Sequence, residues 1–228
     1  MTTEIHATTP APQSRAQETT RWLALGAVAG PVLFTVAWFV LGFLSPGFTI
    51  FGTQIAPYSP VSAGISGLGL GPTAPFMNAA FVLNGLLLAV GVVATFHSIR
   101  EMSAVARWSC TVLLGLAPLG SIVDGIFTLE SFLPHFVGFG LSLGTPILSF
   151  LITGLLLRRI PRWRRFANRL LLGSPLTLAL LILYFAIFSP TAEGAKTGVA
   201  GLIERILIVE VLTWFVAMGW LALRRQEP

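Results

Sequence analysis

The stretch TAPFMNAAFVLNGLLLAVGVVATF, residues 73–96, contains no charged side chain and is apolar along nearly its whole length. An α-helix rises about 1.5 Å per residue, so about 20 residues cross a hydrocarbon layer of ~30 Å. We therefore predict an all-α polytopic integral membrane bundle of six transmembrane helices, because five further runs share this length and composition: Trp22–Leu44, Trp108–Phe127, Gly138–Leu157, Phe166–Phe188 and Val199–Leu223.

The composition excludes a water-soluble fold. Apolar residues make up 54% of the chain and charged residues only 10%, and the mean hydropathy is +0.83. A soluble protein of this length needs more polar surface than that. We assign residues 22–224 to one bundle and interpret residues 1–21, rich in Thr, Ala, Pro and Gln, as a disordered cytoplasmic tail. Cys110 is the only cysteine, which excludes an intrachain disulfide and a cysteine-cluster metal site.

Basic residues fall almost entirely on one side of the predicted membrane. All but two of the 14 occur in the N-terminal tail, the second loop, the fourth loop or the C-terminus; the exceptions are Lys196 and Arg205. The positive-inside rule then places both termini in the cytoplasm. We expect a multi-pass protein of the plasma membrane.

The fourth loop carries six arginines between Arg158 and Arg169. Its simplest interpretation is a topology anchor with Trp163 at headgroup level. A binding site for specific anionic headgroups is the alternative, and membrane lipids are the expected partners. A net charge of +5 does not indicate nucleic-acid binding here, because the charges lie between hydrophobic spans. The sequence does not determine an oligomeric state.

Two pairs of small residues, Gly26/Gly30 and Gly140/Gly144, match the GxxxG pattern. Such pairs let helix backbones approach closely. We expect them to pack inside the bundle.

The first outer loop, residues 45–72, has no charged residue and is rich in Gly and Pro. A loop exposed only to water would seldom keep Phe48, Ile50 and Ile55. We expect the loop to fold back onto the bundle as a cap, with one short helix starting near Ser59 or Ser62. It is either a lid over a site or a passive cover.

Ionisable residues inside the spans are the sharpest functional signal. Such groups are costly in a bilayer and normally face the bundle interior in pairs. Asp124 lies about one turn from the outer end of the third span, and Glu204 and Arg205 lie near the outer end of the sixth. Adjacent residues project about 100° apart on a helix. We therefore expect Arg205 to pair with Asp124 rather than with Glu204.

Glu210 is deeper, near the bilayer midplane. No cation is evident at that depth, so we expect Glu210 to be protonated, with Asn84 as its hydrogen-bond partner.

A candidate catalytic set follows from these positions. Glu130 and His135 are expected in the loop Thr128–Val137, at the level of Asp124. Acid–base or nucleophilic chemistry is consistent with this set: Asp124, His135, Arg205 and Glu204, with Ser62 or Ser66 as nucleophile. The candidate substrate-binding residues are Tyr58, Glu130, Asn78, Asn84 and Glu210. The alternative is a structural ion-pair network that locks the helices together, because such a network gathers the same residue types. One histidine at this face argues against a zinc centre, and no cofactor motif appears.

The chain resembles a family of bacterial six-span proteins, the domain of unknown function 998 (DUF998). The resemblance rests on YSPVSAGISGL at residues 58–68, followed in order by Asn78, Gly85, Asp124, HFVG at residues 135–138, GLIER at residues 201–205, and Trp214. It implies a six-span fold and a pocket near these residues. It implies no activity.

Three functions are compatible with this pattern. The first is an outward-facing polar pocket that binds or processes a lipid or isoprenoid-like molecule. As an enzyme, it would use His135 as acid and base, Asp124 to orient it, and Arg205 to stabilise an anion. The second is a proton-coupled small-molecule transporter that uses Glu210 and Asn84. The third is a structural or accessory membrane subunit without catalysis.

Overall fold

The computed structural model describes residues 15–189, 191 and 195–224. Within them the chain is almost entirely helical, with one two-stranded hairpin. The α-helices are α1 (Arg15–Leu23), α2 (Gly26–Leu44), α3 (Ala74–Ser98), α4 (Ala104–Ile126), α5 (Phe132–Phe139), α6 (Thr145–Leu157), α7 (Arg164–Ile187) and α8 (Ala200–Arg224).

Six helical segments are long and apolar enough to cross a membrane, which confirms the predicted all-α bundle. The fourth, Phe132–Leu157, joins α5 and α6 through a π-helical turn at Gly140–Gly144. It begins six residues before the predicted start at Gly138. His135 therefore lies in a helix, and its predicted place in a loop is wrong. Pro146 follows the π-helical turn at the start of α6, and because it has no N–H it cannot donate to a carbonyl of the turn before it.

The chain differs from the predicted tail at its N-terminal end. Residues 1–14 of that tail lie outside the described residues. Residues 15–21 belong to α1, which ends at Leu23, and α2 begins at Gly26. The predicted first span is thus divided by a short break at Ala24–Leu25.

The membrane-length helices pack in chain order and close into a ring: α2 contacts α3, α3 contacts α4, α4 contacts α6, α6 contacts α7, α7 contacts α8, and α8 returns to α2. Gly26 and Gly30 let α2 approach α3, because a Cβ at either would meet the α3 backbone near Leu87 or Asn84. Close packing predicted at Gly140 and Gly144 is wrong, since a Cβ at either would have no neighbour within 4 Å.

Residues 45–72, called the cap below, lie over one end of the ring. The strands β1 (Phe48–Ile50) and β2 (Thr53–Ile55) form an antiparallel hairpin. Ile55, Ile65 and Leu68 are completely buried, so the cap has its own apolar contact with the bundle. Its short helix is a 3-10 helix at Ile65–Gly69, later than the predicted start at Ser59 or Ser62.

The arginine loop, residues 158–169, lies at the opposite end of the ring. Its six arginines are exposed, and Arg162 forms an ion pair with Glu101 at 2.9 Å. Trp163 is only 1% exposed and packs edge-on against Phe166. The indole therefore anchors the loop by packing against the bundle, and its depth relative to the headgroups stays a prediction.

Candidate functional site

His135 lies at the centre of the candidate site, on the second turn of α5, and is 6% exposed. Its Nδ1 is 2.7 Å from the carbonyl oxygen of Phe127, and its Nε2 is 2.9 Å from Ser66 Oγ. A carbonyl only accepts, so Nδ1 carries the proton of the neutral ring. Nε2 is then the acceptor for the Ser66 hydroxyl. This is the hydrogen-bond pattern of a serine paired with a general base.

Asp124 lies beside the same imidazole on the last turn of α4. Its Oδ1 is 3.7 Å from His135 Nδ1, which is too long for a hydrogen bond but close enough to stabilise a protonated ring. Gly138 of α5 makes room for this carboxyl, since a Cβ there would overlap Asp124. Phe127, and not Asp124, therefore fixes the tautomer of His135.

Ser142 is a member of the site that the sequence did not indicate. Its hydroxyl donates to Asp124 Oδ2 at 3.2 Å. Ser142 lies in the π-helical turn, and such turns shift the register of side chains within a helix. Gly140, Gly144 and Pro146 mark this stretch in the sequence, but their spacing does not show that the turn directs Ser142 to Asp124.

Arg205 does not reach Asp124, and the predicted pair is wrong. Its Nη1 donates to the carbonyl oxygens of Pro60 at 2.7 Å, Ala63 at 3.0 Å and Gly201 at 2.8 Å. Its Nη2 donates to Tyr58 Oη, and its guanidinium lies 5.4 Å from the centre of the Trp38 ring. Arg205 thus binds the cap to α8, and its Nη1 donors are already hydrogen-bonded to backbone carbonyls.

Two further side chains complete this attachment. Tyr58 Oη donates to the carbonyl of Gly64 at 3.0 Å, and burial raises the pKa of Tyr58 to about 12 despite the neighbouring Arg205. The phenol is therefore neutral at physiological pH. Glu204 Oε2 accepts the backbone N–H of Ile65 at 3.1 Å. This contact fixes the residue that precedes Ser66.

The structure separates the two candidate nucleophiles. Ser66 faces His135, whereas Ser62 Oγ donates to the carbonyl of Ala195 at 3.0 Å. Ser62 is buried and occupied with a structural contact. Ser66 is the serine positioned next to a base.

The remaining candidates do not contact His135 or Ser66 in the described hydrogen bonds, although Asn84 lines the cavity behind them. Asn78 Nδ2 donates to the carbonyl of Gly69 at 3.2 Å, and Glu130 is exposed between α4 and α5. Asn84 Nδ2 donates to Ser121 Oγ at 3.0 Å, so its predicted pairing with Glu210 is wrong. Glu210 instead contacts Thr177 and Trp214.

A cavity of about 50 Å³ extends from the site into the bundle. One water needs about 10–15 Å³ of such space, so roughly four waters fit and a lipid tail does not. Among the described residues, no three His, Cys, Asp or Glu side chains come together as metal ligands. The polar lining of the cavity comprises Ser66, Asp124, Ser142, Glu204, Asn84 and Ser121, and its deeper walls are apolar.

Comparison with known proteins gives one match. The sequence pattern of a family described as "Protein of unknown function (DUF998)" matches residues 28–221. No curated protein and no solved structure matches the chain.

Proposed function

Since the chain belongs to the DUF998 family of unknown function, its activity has to be argued from its own side chains, and we propose that it is a membrane-embedded enzyme that cleaves a lipid ester at Ser66. The observation that carries the proposal is the 2.9 Å contact between Ser66 Oγ and His135 Nε2, with Nδ1 held by a carbonyl. A serine paired in this way is activated when the base removes its proton.

The chemistry follows from this contact. Ser66 Oγ attacks the carbonyl carbon of the ester while His135 Nε2 takes its proton. The carbon–oxygen bond to the leaving alcohol then breaks, and His135 returns the proton to that alcohol. A water molecule releases the acyl group from Ser66 by the same route, with His135 again as the base. Asp124 stabilises the imidazolium that forms in each half-reaction.

Two observations favour a substrate drawn from the bilayer. Helix α5, which carries His135, exposes Phe132, Leu133 and Phe136 at 59%, 70% and 48%, so it presents an apolar face beside the site. The cavity behind Ser66 holds water-sized molecules only. The acyl chain would therefore remain among the lipids while its ester group reaches Ser66.

The same geometry assigns Arg205 and Glu204 a role other than catalysis. Both side chains hold the cap through backbone contacts, at Pro60, Ala63 and Ile65. The cap carries Ser66, so these two residues position the nucleophile. In this proposal the cap is a fixed cover over the site.

Turnover of p-nitrophenyl acyl esters by the purified protein in lipid vesicles tests the proposal. Ser66→Ala should abolish turnover. His135→Gln removes the general base and should lower turnover by at least about 100-fold. Ser62→Ala is the matched control, because it removes a buried hydroxyl of the same segment that does not contact His135. Equal turnover by the parent and Ser66→Ala would overturn the proposal. A loss of turnover in Ser62→Ala but not in Ser66→Ala would also overturn it.

A further inference from the structure

Glu210 lies outside the site described above. It is ten residues after the start of α8, which places it about 15 Å along a helix that crosses a ~30 Å layer. Its side chain is half-buried, and it does not line the cavity behind Ser66. A carboxyl group at this depth is costly unless it is neutral or paired.

Neutral side chains hold the carboxyl group of Glu210. Thr177 Oγ1 donates to Glu210 Oε2 at 2.8 Å and also lies 2.9 Å from the carbonyl oxygen of Gly173, one turn earlier on α7. Trp214 Nε1 donates to the other oxygen, Oε1, at 2.5 Å.

The contact between α7 and α8 is shaped around this group. A Cβ at Gly173 would lie 2.6 Å from Trp214 Nε1, so only glycine leaves room for the indole at this point. The indole in turn directs its N–H to the residue one turn earlier on its own helix. Each carboxyl oxygen of Glu210 therefore has one hydrogen-bond donor, and neither donor carries a charge.

Among the side chains that the structure describes, no charged one faces Glu210 from the helices packed against α8. Helix α7 has none after Arg169, α2 has none, and α3 has only His97, near its end. Helix α1 contains Arg15, Glu18 and Arg21, but α8 meets the end of α1 near Gly219, about 13.5 Å along the axis from Glu210. Neither the 3-10 helix of the cap nor the π-helical turn is charged. On α8 itself, Glu204 and Arg205 are about 9 Å and 7.5 Å away along the axis. A proton is therefore the available means of neutralisation.

We propose that Glu210, held by the neutral donors Thr177 and Trp214 and without a cation beside it, is a proton-binding site in the middle of the membrane. The proton reaches a half-buried carboxyl that borders lipid. The site is independent of Ser66 chemistry, because no residue is shared between the two.

Dicyclohexylcarbodiimide, which partitions into lipid, tests the site directly. The carboxyl oxygen of Glu210 bonds to the central carbon of the reagent, and the carboxyl proton moves to one of its nitrogens. The O-acylisourea then rearranges to a stable N-acylurea that carries the mass of the whole reagent. Only a protonated carboxyl reached by lipid reacts in this way. We expect the adduct on the peptide containing Glu210 in intact membranes at neutral pH.

Three variants distinguish labelling of Glu210 from labelling of other sites. Glu210→Gln should remove the adduct, and Glu204→Gln should leave it unchanged, because Glu204 is fully enclosed. Ser66→Ala should also leave it unchanged, which separates this site from the ester-cleaving proposal. Absence of the adduct in the parent at neutral and mildly acidic pH would overturn the proposal.

Infrared spectroscopy supplies a second readout that does not depend on reagent access. The parent should show a protonated-carboxyl band that is missing in Glu210→Gln. Trp214→Phe should shift this band to higher frequency, because Oε1 loses its donor. If Glu210→Gln removes no such band, Glu210 is ionised and the proposal is wrong.

Discussion

His135 differs from a conventional triad histidine in what holds it. The Phe127 carbonyl at 2.7 Å fixes Nδ1, while the Asp124 carboxyl lies 3.7 Å away. Orientation and charge stabilisation, which one aspartate usually supplies together, are divided here between a backbone group and a side chain. The ring therefore keeps its tautomer when Asp124 is changed.

This division predicts a moderate effect for Asp124→Asn. The variant retains the hydrogen bond from Ser142 and the tautomer of His135, and it loses only the carboxyl group that can become negative beside the imidazolium. We expect ester turnover to fall about tenfold, which is ~1.4 kcal/mol in the transition state. The measurement is the rate with p-nitrophenyl esters in vesicles, compared with His135→Gln. A loss as large as that of His135→Gln would show that Asp124, and not Phe127, orients the ring.

At the scale of elements, the cap and α8 behave as one unit. Arg205 contacts the carbonyls of Pro60 and Ala63 and the phenol of Tyr58, and Leu202 N–H donates to Val61 at 2.9 Å. All four of these cap partners lie within residues 58–63. The cap is therefore attached to α8 mainly through one buried guanidinium.

Arg205→Met should destabilise the protein by about 3–5 kcal/mol, because buried acceptors and Glu204 lose their cation. The effects of Arg205→Met and Asp124→Asn should be additive, since the two side chains do not touch. Arg205→Met and Tyr58→Phe should instead be coupled. Thermal unfolding in detergent measures both double-mutant cycles. Coupling between Arg205 and Asp124 with none to Tyr58 would contradict the observed contacts.

The sequence predicted the elements better than their contacts. Long uncharged runs such as residues 73–96 fix the six spans, because hydrocarbon tolerates few alternatives. Which partner Arg205 takes depends on how the cap folds, and a Gly- and Pro-rich segment has no periodic pattern to reveal this. Ser142 was not predicted for a related reason. Gly140 and Gly144 are compatible with close helix packing as well as with a π-helical turn, so residues 140–144 do not reveal the direction of the Ser142 side chain.

For the whole molecule, charge separates the two ends of the bundle. The cap has no charged residue, while the arginine loop presents exposed side chains around the buried anchor Trp163. Of the six arginines in this loop, Arg162 forms the ion pair with Glu101. We propose that this end binds anionic lipid headgroups and, by the positive-inside rule, faces the cytoplasm.

Vesicle composition tests this proposal. Each arginine near an anionic surface contributes about 1 kcal/mol, so phosphatidylglycerol should stabilise the protein against thermal unfolding relative to phosphatidylcholine. Replacing Arg158, Arg159 and Arg165, three of the six arginines, by Gln should remove about half of that difference, and high salt should reduce it in the parent. Lys196→Gln, at the cap end, is the control. A lipid effect that the triple replacement leaves undiminished would exclude the arginine loop as the headgroup site.

Covalent labelling with an alkyl fluorophosphonate shows whether His135 activates Ser66 beneath the cap. We expect a mass adduct on the peptide containing Ser66 in the parent and in Ser62→Ala, and its loss in Ser66→Ala and His135→Gln. An unlabelled parent, or equal labelling of Ser66 in His135→Gln and the parent, would show that His135 does not activate Ser66.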